Sequence, residues 1–272
     1  MSGHQPDCCA VTSPQALADL LERRLKKSAT KRNGPNMPKA VFIHPIVFLD
    51  LGPYPAMVVG DLMFWALNNR ESSQPTWRFY RDWAQWFCCS ERTLGRAVDT
   101  LRKAGVVTTE RRRFPTQGHQ GPLSFQLTPT FLGSSVGQDY RHLFADYTPE
   151  QGQNTSATER FVPQRLPLAH VHRYGAVNAL ILARLMGPIM GQDGAATFQS
   201  MRALATFCWV SLHQAQRSMD VLVGEGVLTK VKIPGYRNGI GVLLGPQGAE
   251  VHQWYLDQRT ESEERHPMAS EY

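Results

Sequence analysis

A stretch of this chain is written twice, and that duplication limits the folds open to it. Moving Thr76–Glu110 forward by 121 positions lays it on Thr197–Val231 without a gap, and ten of the 35 pairs are identical. The identities are Thr76/Thr197, Arg81/Arg202, Ala84/Ala205, Ser90/Ser211, Arg96/Arg217, Asp99/Asp220, Leu101/Leu222, Gly105/Gly226, Val106/Val227 and Thr108/Thr229. Trp77/Phe198, Trp83/Leu204, Trp86/Phe207, Val98/Met219 and Val107/Leu228 keep apolar character. A cap, a core face and a terminating glycine recur in the same order. Two copies of one supersecondary unit are therefore expected. A shift of 120 extends the match upstream, setting Tyr54 on Tyr174 and Ala56 on Ala176.

Each copy carries the same succession of local signals. In the first, Pro55–Asn69 is expected as a helix opened by proline and closed by two asparagines. Thr76–Phe79 reads as a short extended segment, and Arg81–Phe87 as a short helix with Trp83 and Trp86 on one face. A tight turn through Cys88 and Cys89 leads to Ser90, whose hydroxyl caps the helix Glu91–Ala104. That helix buries Leu94, Val98 and Leu101 at spacings of four and three, and Gly105 supplies the left-handed residue that ends it. Val106–Glu110 and Leu123–Leu127 read as strands on either side of a turn-rich loop, Arg111–Pro122. The second copy is expected at Ala176–Ile189, Thr197–Gln199, Met201–Cys208, Leu212–Glu225, Val227–Ile233 and Ile240–Leu244, with Pro234–Gly239 as a hairpin turn.

The expected fold is mainly α with small β-hairpin wings, an α+β class built as two tandem winged helix-turn-helix domains. Domain 1 spans 41–147 and domain 2 spans 161–258, joined by a polar linker at 148–160. Residues 1–40 read as a basic N-terminal helix and arm, and 259–272 as an acidic mobile tail. With 272 residues, 42% hydrophobic, the chain has enough apolar side chains for two packed domains. The Trp residues read as core because they fall on helical faces and in the expected strand.

Charge and cysteine usage narrow the function classes. The net charge of +6 favours a polyanionic partner, since each Lys or Arg docked on a phosphate releases condensed counterions. The five cysteines are odd in number and include no CxxC, so neither a zinc knuckle nor a redox motif is suggested, and with no signal peptide or membrane span expected a cytoplasmic protein with reduced thiols is expected. Cys88 and Cys89 lie in the turn and read as buried structural thiols rather than redox-sensitive ones. No signal peptide is expected, and no uncharged apolar run approaches the roughly 20 residues of a membrane span. His170-x-His172 lacks a third ligand in register, so neither a metal nor any other cofactor is expected. There is no Walker lysine, nucleophile elbow or HExxH, and the chain is not expected to be an enzyme.

The first copy resembles the winged-helix modules of plasmid and phage replication proteins. An aromatic strand at Trp77–Tyr80, Trp83 in the following helix, the Ser90–Thr93 cap and the Leu101–Val106 stop carry the likeness. The tandem arrangement, over roughly residues 40–250, is similar to the initiators of iteron-type plasmids, paired winged helices that bind direct repeats. That resemblance implies sequence-specific binding of double-stranded DNA in replication initiation of a plasmid or other mobile element. A transcriptional regulator with the same binding mode is the alternative, and replication or transcription machinery the further partner.

A recognition helix enters the major groove with its exposed N-terminal half. In the first copy the outward residues are Ser90, Arg92, Thr93 and Arg96, and Arg111, Arg112 and Arg113 lie where the wing meets the backbone or the minor groove. The second copy offers Ser211, His213, Gln214, Gln216 and Arg217 on its helix, with Lys230, Lys232 and Arg237 on its wing. Glu91–Arg113 carries net +4 and Leu212–Asn238 only +2, so the first domain is the expected electrostatic anchor. The weakly charged second domain leaves room for an adaptor role toward a protein partner. Lys26, Lys27, Lys31 and Arg32 form a further basic arm behind a helix with Leu17, Leu20, Leu21 and Leu25 on one face. That leucine face would pack on domain 1 or join two protomers as a dimer. Joined by the linker, the two recognition helices would occupy successive major grooves, each raising the effective concentration of the other.

Overall fold

The computed structural model describes residues 39–68, 76–113, 120–144, 163–191, 194–233, 235 and 237–265, and in it the repeated unit is longer than the 35-residue match. The first copy runs β1 (Ala40–Ile43), α1 (Pro45–Leu51), α2 (Pro53–Asn68), β2 (Thr76–Arg78), α3 (Tyr80–Trp86), α4 (Glu91–Lys103), β3 (Val107–Arg113) and β4 (Gln120–Leu127). It is followed by α5 (Pro129–Gly133) and α6 (Ser135–Phe144). The second copy repeats the order as β5 (Gln164–Pro167), α7 (Leu168–Tyr174), α8 (Ala176–Gly191), β6 (Ala195–Phe198), α9 (Met201–Phe207), α10 (Leu212–Gly224), β7 (Leu228–Lys232) and β8 (Ile240–Leu244), then α11 (Ala249–Arg265). The fold is mainly helical with small antiparallel sheets, an α+β architecture.

Two of the sheets are equivalent, ordered β2-β4-β3 and β6-β8-β7, and each closes one copy. The third joins the copies: β1 pairs antiparallel with β5, Ala40 opposite Pro167 and Ile43 opposite Gln164. One hydrophobic cluster collects the first copy with Leu166, Leu168, Val171 and Leu180 of the second, and another holds the rest of the second copy. Trp209 and Val210 from the second copy also lean on the first cluster. All described residues belong to one compact unit, and the halves touch directly. The segment 148–160, like 1–38 with Lys26, Lys27, Lys31 and Arg32, lies outside the described residues.

Three expectations are corrected. The upstream match at a shift of 120 fails, because Tyr174 is the last residue of α7 and not a counterpart of Tyr54. The glycines before the long helices, Gly52 (φ 92°) and Gly175 (φ 83°), align at a shift of 123. The connection from the long helix to the next strand differs in length between copies, which displaces the register upstream of it. Arg111, Arg112 and Arg113 belong to a strand and not to the expected loop, since β3 continues through Arg113 and β4 begins at Gln120. A register shift between Arg111 and Arg113 absorbs the irregularity, and an edge strand tolerates charged side chains that a central one would not. Finally, α11 runs to Arg265, past the expected boundary at 258. Its Gln, Glu and Arg residues are good helix formers, and Val251, 2% exposed, anchors the first turns to the core.

The close approach of β1 to α2 depends on one glycine. A Cβ at Gly60 would overlap the Phe42 carbonyl oxygen, so the strand lies directly on the helix backbone. Gly60→Val is expected to push β1 away and to destabilise the chain by about 1–3 kcal/mol, as overpacking does. Urea unfolding monitored by tryptophan fluorescence measures it.

Candidate nucleic-acid interface

In both copies a left-handed residue sets up the Ser-capped helix. Cys88 (φ 51°) and Trp209 (φ 60°) turn the chain after α3 and α9, and these are equivalent positions at the shift of 121. Ser90 then accepts a hydrogen bond from the Thr93 amide at 3.0 Å, and Ser211 accepts one from the Gln214 amide at 3.2 Å. Gln214 closes a capping box by accepting from the Ser211 amide at 3.0 Å. Gly105 and Gly226, both at φ 69°, end the two helices identically.

Capping occupies some of the residues expected to meet a ligand. The Thr93 and Ser90 hydroxyls lie 2.9 Å apart in a mutual hydrogen bond, and the Gln214 carbonyl oxygen serves its cap. Of the expected residues on α4, Arg92 and Arg96 remain outward and exposed beside the exposed Glu91 and Asp99, while Leu94, Ala97, Val98 and Leu101 are buried. Among the described residues neither arginine has an ion-pair partner. On α10 His213, Gln214, Gln216 and Arg217 are all exposed, as are Asp220, Val221 and Val223 further along, and Ala215, Ser218, Met219 and Leu222 face inward. Gly95 leaves open space, since a Cβ there would meet only the Tyr80 ring at 3.9 Å.

The hairpins differ in what they present. Arg111, Arg112 and Arg113 stand on the backbone of edge strand β3, and β7 exposes Lys230 and Lys232 on one face, with Arg237 exposed in the turn. Between the end of α4 and β3 lies a groove of about 500 Å³, lined by Asp99, Arg102, Lys103, Val107, Thr108 and Thr109. Asp99 pairs with Arg102 at 3.5 Å along the helix, as the i,i+3 spacing implies. Arg102 and Lys103 are exposed cations beyond the residues singled out from the sequence, the first of them paired with Asp99. The only signal for them was net charge, because a helix C-terminus carries cations for its own dipole as well.

Beneath this face the scaffold is held by a buried polar cluster that the sequence did not reveal. The Asp61 carboxylate on α2 accepts from the Trp83 indole N–H at 2.8 Å and from Arg78 Nε at 3.3 Å. Burial pushes the Asp61 carboxyl up, against the lowering pull of Arg78 and of the Trp83 bond. The Arg78 guanidinium also lies over the Trp65 and Trp86 rings, 4.9 and 5.4 Å from their centroids. Trp83 packs on Phe125 with ring centroids 4.6 Å apart. Three elements, α2, β2 and α3, are tied at one carboxylate. In the second copy Arg184 takes a different course, donating to the Phe207 carbonyl at 3.1 Å and stacking on Trp209 at 4.1 Å.

The two histidines at 170 and 172 have separate surroundings. His172 bonds through Nε2 to the Trp86 carbonyl at 2.9 Å, bridging the halves. His170 is buried among the rings of Tyr174, Trp254 and Tyr255, and burial, with Arg173 adding to it, pulls its pKa down to about 4. A base whose folded pKa is depressed favours the folded state above its unfolded pKa, and that preference fades as pH falls from about 6.5 towards 4. The melting temperature is therefore expected to drop across this window, and His170→Phe to flatten the drop, as differential scanning fluorimetry at stepped pH measures. Cys88 is exposed rather than buried, and its neighbour Cys89 is half-buried, its thiol pushed up to about 11 by burial and the adjacent cysteine.

No protein-family model matches this chain, and no curated protein matches it either.

Proposed function

We propose that the chain is a sequence-specific double-stranded DNA-binding protein in which each copy is a winged helix, α4 and α10 being the recognition helices. The observation that carries this is the pair Arg96/Arg217. Both are exposed at equivalent positions two turns into a Ser-capped helix, where the core gives no reason for an arginine to recur. An Arg fork there meets guanine O6 and N7 in a major groove. The hairpins β3–β4 and β7–β8 serve as wings, their cations on phosphates. Replication initiation on a plasmid or other mobile element is the process that the resemblance of the first copy supports, with transcriptional control as the alternative. The lower charge of the second copy, and the Gln214 side chain held in its cap, are what would suit an adaptor toward a protein partner.

Selection of bound duplexes from random DNA, followed by titration at several salt concentrations, tests the proposal. A recovered motif with affinity well above that for random duplex is expected. Replacing Arg111, Arg112 and Arg113 together by alanine should then weaken binding to all sequences alike and reduce the slope of log K on log salt, by roughly 0.9 for each phosphate no longer neutralised. Recovery of no motif, with affinity equal on all duplexes, would overturn sequence specificity.

A further inference from the structure

The apolar interior of the first copy is incomplete at one place. Between α2, β4 and the short helices α5 and α6 lies a cavity of about 350 Å³, inside the roughly 300–1,000 Å³ range of small-molecule sites. Leu62, Phe125 and Leu127 line it and are buried, and Ala66 and Leu132 line it half-buried. The long helices α2 and α8 correspond residue for residue at the shift of 123, so Leu62 answers to Leu185 and Ala66 to Ile189. Ile189 is 3% exposed and belongs to the core of the second copy. Where the second copy closes its core with a branched side chain, the first stops at a methyl group and leaves room.

The walls of this cavity are fixed. Thr128 caps α5 by accepting from the Phe131 amide at 3.2 Å, and its hydroxyl donates to the Gly105 carbonyl at 2.6 Å. The Ser134 hydroxyl donates to the Phe131 carbonyl at 2.6 Å and accepts from the Gly137 amide at 3.3 Å. A Cβ at Gly137 would overlap the Phe131 and Leu132 carbonyl oxygens, so α6 begins directly against α5. Phe131, Val136 and Tyr140 anchor both helices in the core. Walls already ordered lose little entropy when a ligand arrives.

The rim decides what fits. Arg141 of α6 lines the cavity, is exposed and, among the described residues, has no ion pair. The Thr76 hydroxyl and the Gln126 amide share the lining, also without a side-chain hydrogen bond among the described residues. No carboxylate stands among the described lining residues. Apolar walls with one cation at the edge complement a molecule with an apolar body and one carboxylate, whose two oxygens match the guanidinium fork. A phosphate monoester, with nearly two charges, would call for more cations than this lining holds.

We infer that the cavity binds a small amphipathic monocarboxylate, its apolar body over Leu62, Phe125 and Leu127 and its carboxylate on Arg141. The inference goes beyond the duplex-binding proposal and stands or falls without it.

Titration of the full-length chain with octanoate and with phenylbutyrate, followed by calorimetry and by Ala and Leu methyl resonances, tests the site, with octanol as the uncharged counterpart. Binding of either acid is expected, with the methyl shifts centred on Ala66 and Leu132. Ala66→Ile, which supplies the residue of the second copy, should weaken the acid at least tenfold. Arg141→Gln should do the same to the acid and leave octanol unchanged, since a hydrogen bond to a charged group is lost with no change in packing. Arg141 is exposed, so this variant keeps the fold and decides the matter should Ala66→Ile not do so. Binding of neither acid by the unaltered chain, or full affinity for the acid in Arg141→Gln, would overturn the inference. Full affinity in a folded Ala66→Ile would equally move the ligand out of this cavity and overturn it.

Discussion

Arg92→Ala and Arg96→Ala are each expected to weaken binding to the selected duplex by about 1–3 kcal/mol while leaving thermal stability almost unchanged. Both side chains are exposed, and among the described residues neither sits in an ion pair, so removing them disturbs no packing and orphans no charge. A surface substitution of that kind moves stability by no more than about 0.5 kcal/mol. The effect on binding divides into a charge part and a geometric part, and lysine separates them. Arg96→Lys keeps the cation but not the planar fork, so it should retain the salt slope of the parent and lose discrimination at one base. Fluorescence anisotropy on the selected duplex and on a variant with that base changed measures both. Equal affinities of Arg92→Ala, Arg96→Ala and parent for the selected duplex would remove α4 from the interface.

The larger effect on stability is expected at Trp83. Trp83→Ala should cost about 3–5 kcal/mol, a large part of the roughly 5–15 kcal/mol that holds a domain folded. The indole is completely buried, lies against Phe125 and Phe87, and donates to Asp61 at 2.8 Å. Its removal leaves a cavity and also strips a donor from a buried carboxylate. Trp83→Phe distinguishes the two, because the phenyl ring fills most of the space but cannot donate. It should cost about 1–3 kcal/mol, the penalty of a buried acceptor left short of a partner. Chemical denaturation with far-ultraviolet dichroism as readout gives both values, and a cost for Trp83→Phe equal to that of Trp83→Ala would mean that the Asp61 bond, not the packing, dominates. Asp61 ties α2 to β2 and α3, so loosening it should also blur the position of α4 and weaken any duplex contact it makes.

Much of the local structure is legible in the sequence because its causes are local. Ser90 and Ser211 bond to amides three residues ahead, Gly105 and Gly226 take a conformation closed to most side chains, and Leu94, Val98 and Leu101 follow the helical period. The short helices α1, α5 and α7 are not legible in this way. Each is too brief to show a period, and two of them begin on a proline that reads equally well as a turn. The extent of β3 escapes sequence reasoning because three consecutive arginines have weak strand preference, and only the partner strand supplies the ladder that carries them.

From the sequence by itself came the unit and its duplication: which helices are capped, where they stop, which faces are apolar and which arginines are left over. Those follow from contacts within a few residues and from matching one stretch of chain against another. Only the tertiary structure decided that Asp61 meets Arg78 and Trp83, and that β1 and β5 form one ladder. No periodicity encodes which edge strand finds which, since strand pairing is settled by how the long helices pack and by where a residue such as Gly60 lets a strand come close.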